Sequence, residues 1–213
     1  MICMIVGAPP PATLTYSGSG GFDNSGTSSY SFPAQPIGTA ATNRKVIVGV
    51  MFEGTQTVTA LTIGGVSAAQ TVSSGTTSIW IADVPTGTTA TIAVTLSAAT
   101  AGLAVIAWSA YGLNSSTAVA TASVSSTAAT HTLDAAAIEG GVAVAVSVQR
   151  TPNASTVSWS GLTQNIPGIS IGVGVNNIVS GASTETATSQ APRAMSVTWS
   201  VSNVMRSVYS TFR

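Results

Sequence analysis

The chain has 213 residues, of which 45% are hydrophobic and only twelve are charged, six basic and six acidic, for a formal net charge of zero. An average soluble domain is about a quarter charged, so this surface lacks the usual electrostatic barrier to self-association. Arg44, Lys45, Arg150, Arg193, Arg206 and Arg213 are scattered and offer no basic stripe for nucleic acid, and a single cysteine, Cys3, excludes an intrachain disulfide.

At the N-terminus, Ile2-Cys3-Met4-Ile5-Val6 has no basic residue ahead of it. The Gly7-Ala8-Pro9-Pro10-Pro11 that follows comes too early for a cleavage site, so a signal peptide is not expected. Residues 1–16 read as an extended arm or as the first strand of the fold. As an arm, they would place Ile2, Met4, Ile5 and Val6 in a groove on a neighbouring subunit, with the prolines preventing continuous sheet.

From there the hydrophobic period is two nearly everywhere, which predicts strands. Ala90, Ile92, Val94 and Leu96 share one face of a strand whose other face is Thr91, Ala93 and Thr95. Val142, Val144, Val146 and Val148 repeat the pattern, with Ala143, Ala145 and Ser147 opposite. The second faces are small rather than charged, and either pack internally or present a smooth surface to a neighbour.

Turn residues such as Gly64-Gly65, Pro85-Thr86-Gly87, Gly140-Gly141 and Pro167-Gly168 separate the strands at short intervals. This is the rhythm of an all-β, antiparallel β-sandwich. Only Thr132 to Glu139 suggests a turn of helix, and its Leu133 and Ile138 are poorly spaced for an amphipathic face. The apolar runs are too short for a membrane-spanning helix, which needs roughly 18 residues.

A weak internal duplication relates the two halves, with pseudo-repeats at about 30–113 and 130–213. Lys45–Val50 answers to Gly141–Val146, and Leu103–Trp108 to Val204–Tyr209. Ser78–Ile81 and Ala90–Leu96 answer to Ile169–Gly172 and Met195–Val201. The link between the halves lacks the proline and charge of a solvated linker, which favours one merged sandwich over residues 17–213.

The chemistry-bearing residues are few. Asp23, Glu53, Asp83, Asp134, Glu139 and Glu185 fall at predicted turns or strand ends, where solvated carboxylates belong. His131 is the sole histidine a Ser-His-Asp triad could use, with Asp134 nearby in sequence. One histidine and one cysteine cannot form a zinc shell, and Asp23-Asn24-Ser25-Gly26 reads as a turn rather than a calcium loop. Gly172-Val173-Gly174-Val175 lacks the third glycine of a dinucleotide fingerprint. No catalytic residue, cofactor or metal site is therefore expected. Trp80, flanked by Ile79 and Ile81, is the candidate exposed aromatic anchor, whereas Trp108, Trp159 and Trp199 share parity with core positions.

Several segments together resemble a β-sandwich module of tailed-bacteriophage virion proteins. They are Ser31-Phe32 leading to Ile37–Ala40, Asn43–Val50, Val58–Val66, Ile79–Gly87 and Ala90–Thr95. The resemblance implies a jelly-roll-like fold and a non-enzymatic structural role as a capsid decoration or cement protein. It also implies a homo-oligomer, a trimer by the usual symmetry of capsid sites, docked on the major capsid protein and located in the virion. The alternatives are a spike, fibre or tail component that touches host-surface glycan through Trp80 or Tyr111, and a secreted carbohydrate-active enzyme that uses Glu53 or Asp83.

Overall fold

The computed structural model describes residues 9–151, 155–172 and 177–213. Its described residues form fifteen antiparallel strands and no helix: β1 (Thr13–Asp23), β2 (Ser29–Pro36), β3 (Arg44–Phe52), β4 (Val58–Ile63), β5 (Val66–Ser67), β6 (Ala69–Ser74), β7 (Thr77–Asp83), β8 (Thr89–Leu96), β9 (Leu103–Tyr111), β10 (Ala120–Ala137), β11 (Gly141–Arg150), β12 (Val157–Ser160), β13 (Thr163–Ile171), β14 (Asn177–Thr186) and β15 (Gln190–Phe212). In the first half, a central sheet runs β1-β9-β3-β7-β6 and an outer sheet runs β2-β8-β4-β5. The chain passes back and forth between two antiparallel sheets, as in a β-sandwich.

The second half repeats this plan with fewer, longer strands. Its central sheet runs β10-β15-β11-β14-β13, the same order with β10 in place of β1 and β15 in place of β9. β10 and β15 are long enough to serve both layers. Residues 120–128 of β10 pair with 203–211 of β15 in the central sheet. Beyond an irregularity after Ala128, Thr130–Ala135 pair with Arg193–Thr198, and β12 joins the other side of that stretch. This second outer sheet folds back over β11 and β14. Leu133, Met195, Val197 and Trp199 pack there against Ala143, Ala145, Ile178 and Ala182.

Three apolar clusters lie between the four layers. Val46, Val48, Val50 and Trp80 face Phe32, Leu61, Ile92 and Val94 within the first half. Leu133, Trp199, Met205 and Tyr209 anchor the matching cluster of the second half. Between the two central sheets, Ile47, Met51, Ile79, Ile81, Ile106 and Trp108 meet Val142, Val144, Val146, Val148, Val179, Val208 and Phe212. β3, β9 and β11 are consequently buried on both faces, so their sequences read as nearly unbroken apolar runs.

Within residues 17–213 the first half forms two sheets and the second a single six-stranded sheet that folds over itself, and the halves share an apolar interface because the alternate faces of β3 and β11 are both lined with packing side chains. Two expectations differ from this arrangement. Thr132 to Ala137 is strand rather than helix, since Leu133, Ala135 and Ala137 point inward at a period of two. The counterpart of β7 is β14, the strand hydrogen-bonded outside β11, and not the Ile169–Gly172 segment, whose Ile171 lies at the end of β13.

Two residues fix local geometry that the clusters require. Gly49 faces the second half at closest approach, where an added Cβ would lie 2.4 Å from Val146 Cγ1 and 2.9 Å from Ile106 Cγ2. Arg44, at the head of β3, is 1% exposed. It donates to four backbone carbonyls: from Nε to Val84 at 2.7 Å, from Nη1 to Gly38 at 2.9 Å and Gly87 at 2.8 Å, and from Nη2 to Thr86 at 2.6 Å. The guanidinium thereby ties the β2–β3 and β7–β8 connections together.

A Gly49→Val substitution should overpack the interface and cost about 1–3 kcal/mol in urea unfolding. Arg44→Ala should be worse, at about 1 kcal/mol or more for each stranded carbonyl. Arg44→Lys should recover only part of that loss, because an ammonium has three donors for four acceptors.

Candidate functional site

Ile2, Met4, Ile5 and Val6 lie outside the described residues, but the segment that follows them is held in place. Arg213 donates from Nη2 to the Pro9 carbonyl at 3.2 Å and from Nη1 to that of Pro10 at 3.4 Å. The Ala12 amide donates to Gly140 at 2.7 Å, and Ala12 itself is buried in the cluster between the halves. Thr13–Tyr16 belong to β1, whose Leu14 amide donates to Glu185 Oε1 at 2.8 Å. Pro9, Pro10 and Ala12 are thereby held at the corner formed by the β10–β11 turn and Arg213.

Trp80 is not an exposed anchor. Its exposure is 7%, and its Nε1 donates to Ser78 Oγ at 2.8 Å. Ile79 and Ile81 do point into the interface between the halves, but the opposite face of β7 is covered by the first outer sheet, and Trp80 fills that cluster. Tyr111 is half-buried, and its hydroxyl donates to the Thr39 carbonyl at 2.9 Å.

The titratable residues are held by local partners. Asp23 Oδ1 accepts from the Ser25 amide at 2.8 Å, as a turn requires. Asp83 pairs with Lys45, whose hydrogen bond holds the carboxyl below its usual range, and also accepts from Ser116. Asp134 is exposed on β10. No group of three His, Cys, Asp or Glu side chains gathers among the described residues.

His131 is buried and is hydrogen-bonded through Nδ1 to Ser207 Oγ and through Nε2 to Ser126 Oγ, each at 3.0 Å. Ser207 donates on to Ser147 at 2.9 Å, and Trp199 Nε1 donates to the same Ser147 oxygen at 3.2 Å. These partners are hydroxyls and an indole rather than a carboxylate, so the ring serves as a rivet between the second central and outer sheets. Burial lowers its pKa.

Of the two small-residue faces read from the sequence, one is exposed and one is covered. Ala143, Ala145 and Ser147 lie under the second outer sheet. Thr91 and Thr95 are exposed on the outside of β8 with Ala93 half-exposed between them, and they continue across Ser29 and Ser31 of β2 and Ala60 and Thr62 of β4. No residue of β2, β4, β5 or β8 carries a charge. An uncharged face rich in Ser, Thr and Ala results.

A second feature lies where the interface between the halves runs out. The inward row Ile47-Gly49-Met51 of the first half continues to Glu53, the row ending in Val148 continues to Arg150, and Asn177 and Arg206 precede Val179 and Val208 in theirs. These four side chains and Thr76 line a cavity of about 210 Å3. Arg150 and Asn177 are cross-strand partners, and Arg206 Nη1 donates to Thr76 Oγ1 at 3.2 Å across the halves. Asn177 is 5% exposed. Its Nδ2, and the Oε2 of Glu53, are buried without a hydrogen-bond partner. The sequence signal for this site was a polar residue extending an inward apolar row, visible only once the strands are known to stack.

No family model matches the sequence, and no curated protein matches it. Among solved structures, an anti-sigma factor domain-containing protein aligns over 85% of this chain and 79% of its own, at 8% identity and a TM-score of 0.24. The PBSX exported protein XepA aligns over 94% and 86%, at 10% identity and a TM-score of 0.25. BuGH86 in complex with neoagarooctaose aligns over 95% of this chain but only 35% of that one, at 9% identity and a TM-score of 0.28. Scores this low assign neither a family nor an activity.

The buried histidine has a pH consequence of definite sign. Its ordinary pKa is 6.5 and burial depresses the folded value, so between the two the unfolded chain binds more protons. Its contribution to stability should be complete above about pH 6.5 and be lost as pH falls through the folded value. Urea unfolding followed across this range should show the decline, and His131→Gln should flatten it.

Proposed function

We propose that this chain is a non-enzymatic virion protein, a capsid decoration or cement subunit that binds the shell and stabilises it. The observation that carries this reading is the uncharged outer face of the β2-β8-β4 sheet. A face of Ser, Thr and Ala carries no charge to desolvate on docking and little side-chain entropy to lose. A soluble protein without partners gains nothing from keeping a whole sheet free of charge, since charge protects against association.

The anchored residues 9–12 support a second contact. The apolar Ile2, Met4, Ile5 and Val6 that precede them in sequence would fill a groove on the shell or on another copy, while the sheet face supplies a second area. Trimeric assembly is part of the proposal, because a low-charge subunit repeated around a symmetric capsid position meets copies of itself.

Two variants test this reading on purified capsids by co-sedimentation. Deleting residues 1–8 should leave the melting temperature within a few degrees, since the contacts of Pro9, Pro10, Ala12 and Leu14 remain, and should weaken capsid binding at least about tenfold. Thr91→Lys combined with Thr95→Lys should likewise leave the fold intact and weaken docking by placing unpaired charges in the contact. Undiminished binding in both would overturn the proposal, as would densitometry of whole virions showing only a handful of copies per particle.

A further inference from the structure

We infer that the cleft between the halves binds a compact hydroxycarboxylate, a sugar acid of single-residue size. The inference stands apart from the virion role, because the cleft lies at the end of the interface between the central sheets and not on the outer sheet face.

Three of the twelve charged residues of the chain line this one cavity. Two arginines against one carboxylate leave an excess of one positive charge. Yet among the described residues neither Arg150 nor Arg206 forms an ion pair with Glu53; the one bridge found joins Lys45 and Asp83. Groups of opposite sign that share a cleft without closing on each other are spaced for something between them.

The unmet hydrogen bonds specify what that is. Asn177 Nδ2 is a buried donor without an acceptor, and Glu53 Oε2 is a buried acceptor without a donor. Buried polar groups left unpaired destabilise the fold, so a ligand that satisfies both is favoured. A carboxylate meets Asn177 and the guanidinium groups, for which paired oxygens are the natural partner. A hydroxyl on the adjoining carbon frame meets Glu53.

Arg206 is already oriented. Its guanidinium lies across Gly75, where an added Cβ would sit 2.6 Å from Nε, and is fixed by Thr76 from the opposite half. The volume of about 210 Å3 is below the roughly 300–1,000 Å3 of sites for drug-sized ligands, which limits the occupant to about one sugar ring.

Isothermal titration of the full chain with sodium glucuronate tests the inference, with glucose, acetate and serine as comparison ligands. Glucuronate should bind saturably, and glucose and acetate at least about tenfold more weakly, because each lacks one of the two required groups. Arg206→Gln and Glu53→Gln should each weaken glucuronate about tenfold or more. Arg150 is exposed, so Arg150→Gln keeps the fold and should also weaken binding. Absence of saturable glucuronate binding would overturn the inference. So would acetate binding as tightly as glucuronate, which marks a bare anion site, serine binding in preference to glucuronate, or affinity unchanged in all three variants.

Discussion

Everything in this molecule depends on two central sheets lying back to back. Stacked sheets sit about 10 Å apart, and here that spacing is achieved by setting valines of β11 against isoleucines of β3, β7 and β9, with glycine at the tightest points. Gly49 makes room for Val146, and Gly181, where a Cβ would fall 2.7 Å from Ile106 Cδ1, makes room from the other side. Because each central sheet is also covered by its own outer sheet, the strands in the middle have no solvent face at all. Part of the scarcity of charge follows from this layering alone, and only the part that remains on the outer surface needs another cause.

Layering of this kind brings polar groups into the interior, and the chain treats them in two ways. At two places they hold layers together: Arg44 is surrounded by four carbonyls, and the chain from Ser126 through His131 and Ser207 to Ser147 and Trp199 is joined by mutual hydrogen bonds. Such networks stabilise only when complete, since a half-satisfied one is worse than an apolar core. At the cleft the pattern reverses. Glu53 and Asn177 keep unpartnered buried atoms in the same protein that satisfies Arg44 four times over. Other unpartnered buried atoms, such as Tyr209 Oη and Gln149 Oε1, lie apart from one another, whereas those of Glu53 and Asn177 share one cavity.

The period of two made the strands legible, and the likeness of Lys45–Val50 to Gly141–Val146 located the innermost strands of both halves, β3 and β11. The duplication of strand order was only partly visible, because β10 and β15 each fuse what the first half builds from two strands, which removes the turns that would have marked the correspondence. Trp80 shows the limit of parity. Alternation establishes that a tryptophan and its neighbours point to opposite faces, but not whether either face meets water, and here neither does. Glu53, Arg150, Asn177 and Arg206 are spread over 154 positions of sequence, and only the stacking of the two halves brings them together.

The edges of the sheets decide how a surface so poor in charge can avoid uncontrolled pairing. An unpaired strand is a template for another chain, and charge, the usual deterrent, is scarce. β2, at the edge of the first outer sheet, carries Pro33 and Pro36 and breaks its register at Phe32/Gln35, and the edge strand β13 carries Pro167 and two such irregularities. β1 is sealed where Glu185 takes the Leu14 amide. Proline removes a donor from the ladder without adding charge, so pairing at the β2 and β13 edges is hindered while the face of β2, β8 and β4 stays neutral. A protein that needed only solubility would have placed lysine at those edges. At these two edges proline takes the place that lysine usually holds, and the neighbouring sheet face keeps its neutrality.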